Sequence, residues 1–491
     1  MAHSFWTRIG QYVGSLLVVV MTSALFTTLA TILDRVRQAG LGHGAERSAE
    51  SLMGLVGSTS GLAALLLVAN TFSLVVDQRR REIGVLRTLG TTPAQIRLQI
   101  VGEALLVSLA GGLAGSVLGT AGTGPALHWL VRNEVIPAGT EAHFSVTGAV
   151  TGPLCTAVIA VLAALTAVHR PTRTGALATV REAEVRRRVM PTGRVISVLL
   201  MSALAFAVYR RYEHRDGADD AVDGAMALGL MLLLAAWLLM PVLVRPLMAV
   251  GARPGRVLSR YTGRLAAVNG VGATRRTAAM TGPVLIAAGL SALLLCSAAA
   301  AGAVEEAEAR PVTVTRTAEV SVTSGAAEHP VTAVRADDAP MASDERTRAA
   351  EADRQRRRNA VGIKVLMAPL IVFSGVGILN TLLLATRQRR REFAVLRLTG
   401  GTTGQLLRML LWESLAVVIA GVATAGAVVG AFLLVLSQRL APFGVETVAV
   451  LPWDQLARVV AGCAALGLLG VLVPARSALR VRAVRATRTP D

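Results

Sequence analysis

The chain has 491 residues, of which 53% are hydrophobic and only 16% charged, with a formal net charge of +19. Several apolar runs exceed the roughly 18 residues needed to cross a bilayer, which excludes a soluble enzyme and implies a polytopic helical membrane protein. A transmembrane β-barrel would show short alternating segments instead, and the sequence has none.

The positive charge does not point to nucleic acid. It falls in the loops between apolar runs, as in the cytoplasmic loops of membrane proteins. Nearly all of it is arginine, and Lys364 is the only lysine. A phosphate-binding loop of the form G-x-x-x-x-G-K-[ST] needs Ser or Thr after its lysine, and here Val365 follows. The chain is therefore expected not to be an ATPase. Cys155, Cys296 and Cys463 all lie inside apolar runs. They read as small buried residues rather than a disulfide framework or metal site. The histidines are scattered without metal-ligand spacing, and no nucleophile–base pattern marks a catalytic residue. No metal or bound cofactor is expected.

In chain order, the expected spans are Tyr12–Leu33, Leu52–Val76, Leu98–Thr120, Val146–Val168, Val195–Tyr209, Ala225–Val250, Thr277–Ala301, Val361–Ala385, Met409–Leu436 and Leu456–Val473. The first reads as an uncleaved helix, being too long for a signal-peptide core. A short polar segment, Asp34 to Glu50, follows it. Arginine-rich stretches run from His169 to Arg194 and from Arg253 to Arg276. The longest polar segment, Glu305 to Asn359, alternates Val and Thr near its start. It reads as a small strand-containing unit or partly ordered loop, too short to be a stable domain alone. Ten spans put both termini on one face. The arginine-rich stretches and the basic tail share that face, so it is expected to be cytoplasmic.

The strongest signal is an internal repeat. Gln78-Arg79-Arg80-Arg81-Glu82-Ile83-Gly84-Val85-Leu86-Arg87-Thr88-Leu89-Gly90 returns 310 residues later, without a gap, as Gln388 to Gly400. The match runs from Asn70-Thr71 and Asn380-Thr381 to Ala110-Gly111 and Ala420-Gly421. Of those 42 aligned positions 19 are identical, far above chance at a fixed offset. Each copy sits between two apolar runs. Read as a helix, Glu82 to Leu89 places Ile83, Leu86 and Val85/Leu89 on one side, and Phe393, Leu396 and Val395 repeat the pattern. Gly90 and Gly400 are suited to end these helices in the left-handed conformation. Such a segment can rest on lipid headgroups through its arginines or dock into a soluble partner.

The pattern Arg-x-x-Glu-[Ile/Phe]-x-Val-Leu-Arg-x-x-Gly, followed within about 13 residues by Glu and a Gly/Ala-rich span, resembles the FtsX-like permease domain. The resemblance covers about residues 52–170 and 264–482. It implies an all-α fold of about ten membrane helices in two fused FtsX-like repeats, with a small polar extracellular segment. The chain then divides into 1–51 (first helix and outer segment), 52–170 (repeat 1) and 171–263 (linkers with two connecting helices). The second half divides into 264–303 (first helix of repeat 2), 304–360 (extracellular segment), 361–482 (repeat 2) and 483–491 (basic tail).

By the same resemblance, the motif segments are coupling helices for a cytoplasmic ABC ATPase, which would bind the ATP as a dimer. The coupling residues are Arg81, Glu82, Val85, Leu86, Arg87 and Gly90, with Arg391, Glu392, Val395, Leu396, Arg397 and Gly400. Membrane lipids are the other expected partner, and a bacterial plasma membrane the expected location. The function implied is an ABC permease that exports or extracts an amphipathic peptide, antibiotic or lipid. One departure stands out. Family members typically carry a sizeable extracellular domain between the first two helices of a repeat, and this chain has only short segments there.

Glu103 and Glu413 lie in register, just inside their spans. An intramembrane carboxylate is costly. Three readings stay open: pairing with Arg97 or Arg408 at the membrane edge, handling of protons or substrate, and coupling to the motif helix. Gly111, Gly115 and Gly119, and again Gly426 and Gly430, are spaced for close helix packing. Two rival functions are a non-transporting regulator that relays ATPase motion outward and a secondary transporter with internal repeats.

Overall fold

In the computed structural model, all regular structure among the described residues is helical. The described residues are 2–38, 43–133, 144–168, 192–213, 218–251, 274–308, 361–381, 390–443 and 451–480, with isolated positions at 253, 262, 266 and 357. The helices are α1 (Ala2–Gln38), α2 (His43–Gln78), α3 (Arg80–Thr88), α4 (Pro93–Arg132), α5 (Val146–Val168), α6 (Thr192–Glu213) and α7 (Ala218–Gly251). They continue as α8 (Thr274–Glu308), α9 (Val361–Thr381), α10 (Arg390–Leu398), α11 (Thr403–Leu440) and α12 (Trp453–Arg480).

Over the described residues, nine of these are long and apolar enough to cross a membrane. The tenth expected span, Leu456–Val473, lies within α12. The strand-containing unit expected between 305 and 359 falls almost wholly outside the described residues. The polar segment Asp34 to Glu50 is less of a loop than the sequence suggests. It is largely the ends of α1 and α2, joined by an Arg37–Glu50 ion pair of 2.7 Å.

The first repeat is a bundle in which α1, α4 and α5 pack on one another and α2 packs on α1 and α5. Small residues let these helices approach closely. A Cβ added to Gly115 would stand 2.4 Å from the Val20 carbonyl oxygen, so only hydrogen fits there. Hydroxyls bridge the same contact. Ser23 Oγ donates to the Gly112 carbonyl at 2.7 Å and Thr28 Oγ1 to that of Gly119 at 3.1 Å.

The second repeat, α8, α9, α11 and α12, forms the largest core, around Leu285, Leu293, Leu370 and Phe432. Here α7 intrudes, packing on both α8 and α11, while α6 lies outside against α7. Along α11 this buries Ala416, Ala420, Thr424, Val428 and Phe432. Their counterparts 310 residues earlier include Leu106 and Leu118, which are exposed. The repeats are alike in sequence but differ in what covers them. They meet along α2, whose Leu67 side chain lies over Gly377 of α9.

Candidate functional site: two motif helices and their membrane anchors

Each motif segment folds as a nine-residue helix, α3 or α10, between a spanning helix and the next. The ends are built identically. Gly90 and Gly400 both adopt φ +94°, which favours glycine because it lacks a Cβ. Gly90 N–H donates to Arg87 O and Thr91 N–H to Leu86 O, each at 3.1 Å; Gly400 and Gly401 repeat this onto Arg397 O and Leu396 O. This double closure is a Schellman motif, and it turns the chain sharply.

The next helix starts at once. Thr92 Oγ1 accepts from Gln95 N–H at 3.3 Å while Gln95 Oε1 accepts from Thr92 N–H at 2.9 Å. Thr402 and Gln405 form the same reciprocal pair. These capping boxes satisfy orphan amides at the helix starts. Their signal, Thr-x-x-Gln in both copies, is present in the sequence but not singled out above.

The faces of α3 differ from the sequence reading. That reading groups Ile83 with Val85 and Leu89 on one apolar side. In the structure Ile83 is 6% exposed and packs with Val76, Ile96 and Ile100, whereas Val85 is 54% and Leu89 76% exposed. The reason is geometric: two residues of helix subtend about 200°, so Ile83 and Val85 face opposite ways. In α10, Phe393 is 2% exposed, and Val395 and Leu398 are 49% and 58% exposed. Leu86 and Leu396 are half-buried, and Leu396 packs against the main core. Glu82 and Glu392 are exposed beside the outward strip; Arg87 and Arg397 are partly buried. The side chains of Arg81 and Arg391 lie outside those described. Each motif helix thus presents a carboxylate and two apolar side chains outward: Glu82, Val85 and Leu89 on one, Glu392, Val395 and Leu398 on the other.

Glu103 sits in the body of α4 and pairs with Arg79, the residue just before α3. Arg79 Nη1 stands 2.6 Å from Glu103 Oε2, and Gln99 Nε2 reaches Glu103 Oε1 at 3.4 Å. The pair joins the start of the motif helix directly to the next membrane helix. Arg79 belongs to the triple arginine, but the sequence gives no sign that it differs from its neighbours. Glu413, the counterpart of Glu103, is buried on α11 among core side chains.

The glycine stripes divide. Gly111, Gly115 and Gly119 face α1 in the tight contact already described. Gly426 and Gly430 have no described atom within 4 Å of an added Cβ. α11 packs on α7, α8 and α12, and Gly426 lies off these contacts, exposed. Cys296 and Cys463 are buried, Cys155 is half-buried, and all three are free thiols.

Comparison with known proteins gives two findings. A family described as FtsX-like permease C-terminal matches residues 54–174 and 364–483. These two regions run from α2 to just past α5 and from α9 to just past α12, each with a motif helix inside. The lipoprotein-releasing system transmembrane protein LolC of Haemophilus influenzae is 34% identical over 92 residues, 19% of this chain and 23% of that protein. The chain thus matches about a quarter of that relative's length. Two matched regions of the same construction, each enclosing one motif helix, show that this chain carries two FtsX-like permease domains.

Proposed function

We propose that this chain is the membrane permease of an ABC-type transporter, with both halves of the permease fused in one polypeptide. The motif helices dock into two copies of a cytoplasmic ATPase, which binds and hydrolyses the ATP. Conformational change in the membrane helices then exports or extracts an amphipathic substrate: a peptide, an antibiotic or a lipid. The membrane is a bacterial plasma membrane, with the motif helices and both termini on its cytoplasmic side.

The observation that carries this reading is the matched outward strip on α3 and α10. A helix lying on lipid headgroups would turn its apolar face to the acyl chains and its arginines to the phosphates. Here the most apolar residues, Ile83 and Phe393, are already buried in the protein, and Val85, Leu89, Val395 and Leu398 project from the other face beside carboxylates. A carboxylate is a poor neighbour for anionic headgroups. It suits a protein cleft. Two such strips on two repeats suit two equivalent clefts, as in a dimeric ATPase.

Coupling inward then follows from the chain's own contacts. Movement of α3 pulls on Arg79, and the Arg79–Glu103 pair hands that movement to α4.

The test is co-purification. The tagged chain is expressed with a candidate ABC ATPase, solubilised gently, and assayed for bound ATPase and ATP hydrolysis. Val85→Asp together with Val395→Asp abolishes retention if the strips are docking faces, while the permease itself stays monodisperse. Retention unaffected by that double change would refute the docking assignment and favour the lipid-facing alternative.

A further inference from the structure

Two hydrogen bonds cross between the repeats and mirror one another. Asn70 Nδ2 donates to Thr381 Oγ1 at 3.4 Å, and Asn380 Nδ2 donates to Thr71 Oγ1 at 3.1 Å. The residues are related by the same 310-residue offset as the motifs, so one Asn-Thr pair clasps its own repeat copy. All four side chains are buried, with Thr71 and Thr381 almost completely so. Thr71 Oγ1 gives its own proton to the Leu67 carbonyl at 2.9 Å, which leaves its lone pairs to receive the Asn380 amide. Asn70 Nδ2 also donates to the Ala279 carbonyl at 3.1 Å, binding α2 to α8 as well.

The position of this clasp gives it leverage. Asn70 precedes the first residue of α3, Arg80, by ten positions, and Asn380 precedes Arg390 by the same ten. At 1.5 Å per residue the clasp lies about 15 Å from α3 along the axis of α2. In the first copy only Arg79 separates α2 from α3, and the backbone bonds Arg79 N–H to Val76 O and Ile83 N–H to Arg79 O bridge the junction. Whatever fixes α2 against α9 at Asn70 therefore bears on where α3 is held relative to the second repeat.

Its strength suits a latch rather than a weld. Interhelical side-chain hydrogen bonds inside membranes each shift an equilibrium by roughly three-fold, because the separated helices find other partners. Two of them give roughly ten-fold. That is enough to favour one arrangement and well short of the roughly 10⁴-fold needed to fix it. We infer that Asn70–Thr381 and Asn380–Thr71 form a two-fold polar latch that sets the resting separation of the two motif helices and opens when they move. The inference goes beyond the proposed function and holds whatever the motif helices dock against.

The experiment uses the full chain alone in lipid nanodiscs, with no ATPase present, so a failure of ATPase docking leaves its result untouched. Cys155, Cys296 and Cys463 are replaced by Ala, and spin labels are placed on Val85→Cys and Val395→Cys, both exposed. The distance distribution between the labels is the readout. With the latch intact, one narrow population is expected. Asn70→Leu with Asn380→Leu raises a displaced population roughly ten-fold relative to the first. Asn70→Leu alone acts more strongly than Asn380→Leu, because it also releases Ala279. Thr71→Val with Thr381→Val removes the acceptors while keeping side-chain shape, and must displace the labels in the same direction. Distributions that superimpose in all variants overturn the latch. So does displacement by the Leu pair but not by the Val pair, since leucine's bulk is then the cause.

Discussion

Arg79 donates to Glu103 across 2.6 Å, and with it the residue before α3 is fixed to the body of α4. The Arg79 side chain is 11% exposed and that of Glu103 30%. A pair at this depth lies between the surface case, where exposed ion pairs contribute little, and the buried case, where loss of one partner strands a charge. Glu103→Gln is expected to cost about 1–2 kcal/mol. A double-mutant cycle with Arg79→Gln, read by unfolding in mixed micelles, should return a coupling energy of about 1 kcal/mol. Additive effects would mean that the two residues act separately, and α3 would lose its proposed lever on α4.

The opposed faces of α10 make a second contrast. Phe393 lies in the core and Val395, two residues on, faces out. Phe393→Ala should lower stability by about 3–5 kcal/mol through lost burial and the cavity left behind. Val395→Ala should stay within about 0.5 kcal/mol. The same division is expected in α3 between Ile83→Ala and Val85→Ala. Thermal unfolding of the four purified variants checks this, and comparable losses at Val395 and Phe393 would contradict the orientation of the helix.

The repeat and the helical fold were legible in the sequence because both rest on local pattern. A fixed offset exposes identical segments, and long apolar runs have few alternatives to a membrane helix. The turn after each motif helix was legible too, through Gly90 and Gly400. The faces of α3 were harder to read: nine residues hold too few apolar positions to tell a core-facing side from a partner-facing one, and both sides carry aliphatics. Arg79 could not be told from Arg80 and Arg81, because only the fold decides which of three adjacent arginines meets Glu103. Asn70-Thr71 and Asn380-Thr381 open the repeat, but their cross-pairing depends on how two distant helices meet. The burial of Ala416, Ala420 and Phe432 by α7 had no sequence signal at all, since α7 has no counterpart in the first repeat.

Both motif helices end on a residue with φ +94°, and an L side chain there is strained. Gly90→Ala and Gly400→Ala should each cost about 1–2 kcal/mol, localised to the turn. The readout is amide exchange at Thr91 and Gly401, whose N–H groups close the turns onto Leu86 O and Leu396 O. Exchange should quicken in the Ala variants and less so with Asn, which tolerates the left-handed region better. Unchanged exchange in Gly90→Ala would show that the turn does not depend on glycine.

Gly115 and Gly426 look alike in the sequence, each one member of a small-residue stripe in the third long helix of its repeat. The structure separates them. A Cβ at Gly115 would come within 2.4 Å of Val20 O and 2.6 Å of Ser23 Cβ, both parts of α1. Backbone cannot yield as a flexible side chain can, so α1 would have to move off α4. That movement would stretch the Ser23–Gly112 and Thr28–Gly119 hydrogen bonds as well. Gly115→Ala is therefore expected to cost about 1–3 kcal/mol, the usual range for overpacking. Gly426→Ala meets no described atom within 4 Å and should be neutral or up to about 1 kcal/mol stabilising, as alanine is the better helix former. Unfolding of the two variants side by side decides it. A tolerated Gly115→Ala would mean that α1 and α4 do not approach as closely as their glycines and hydroxyls allow.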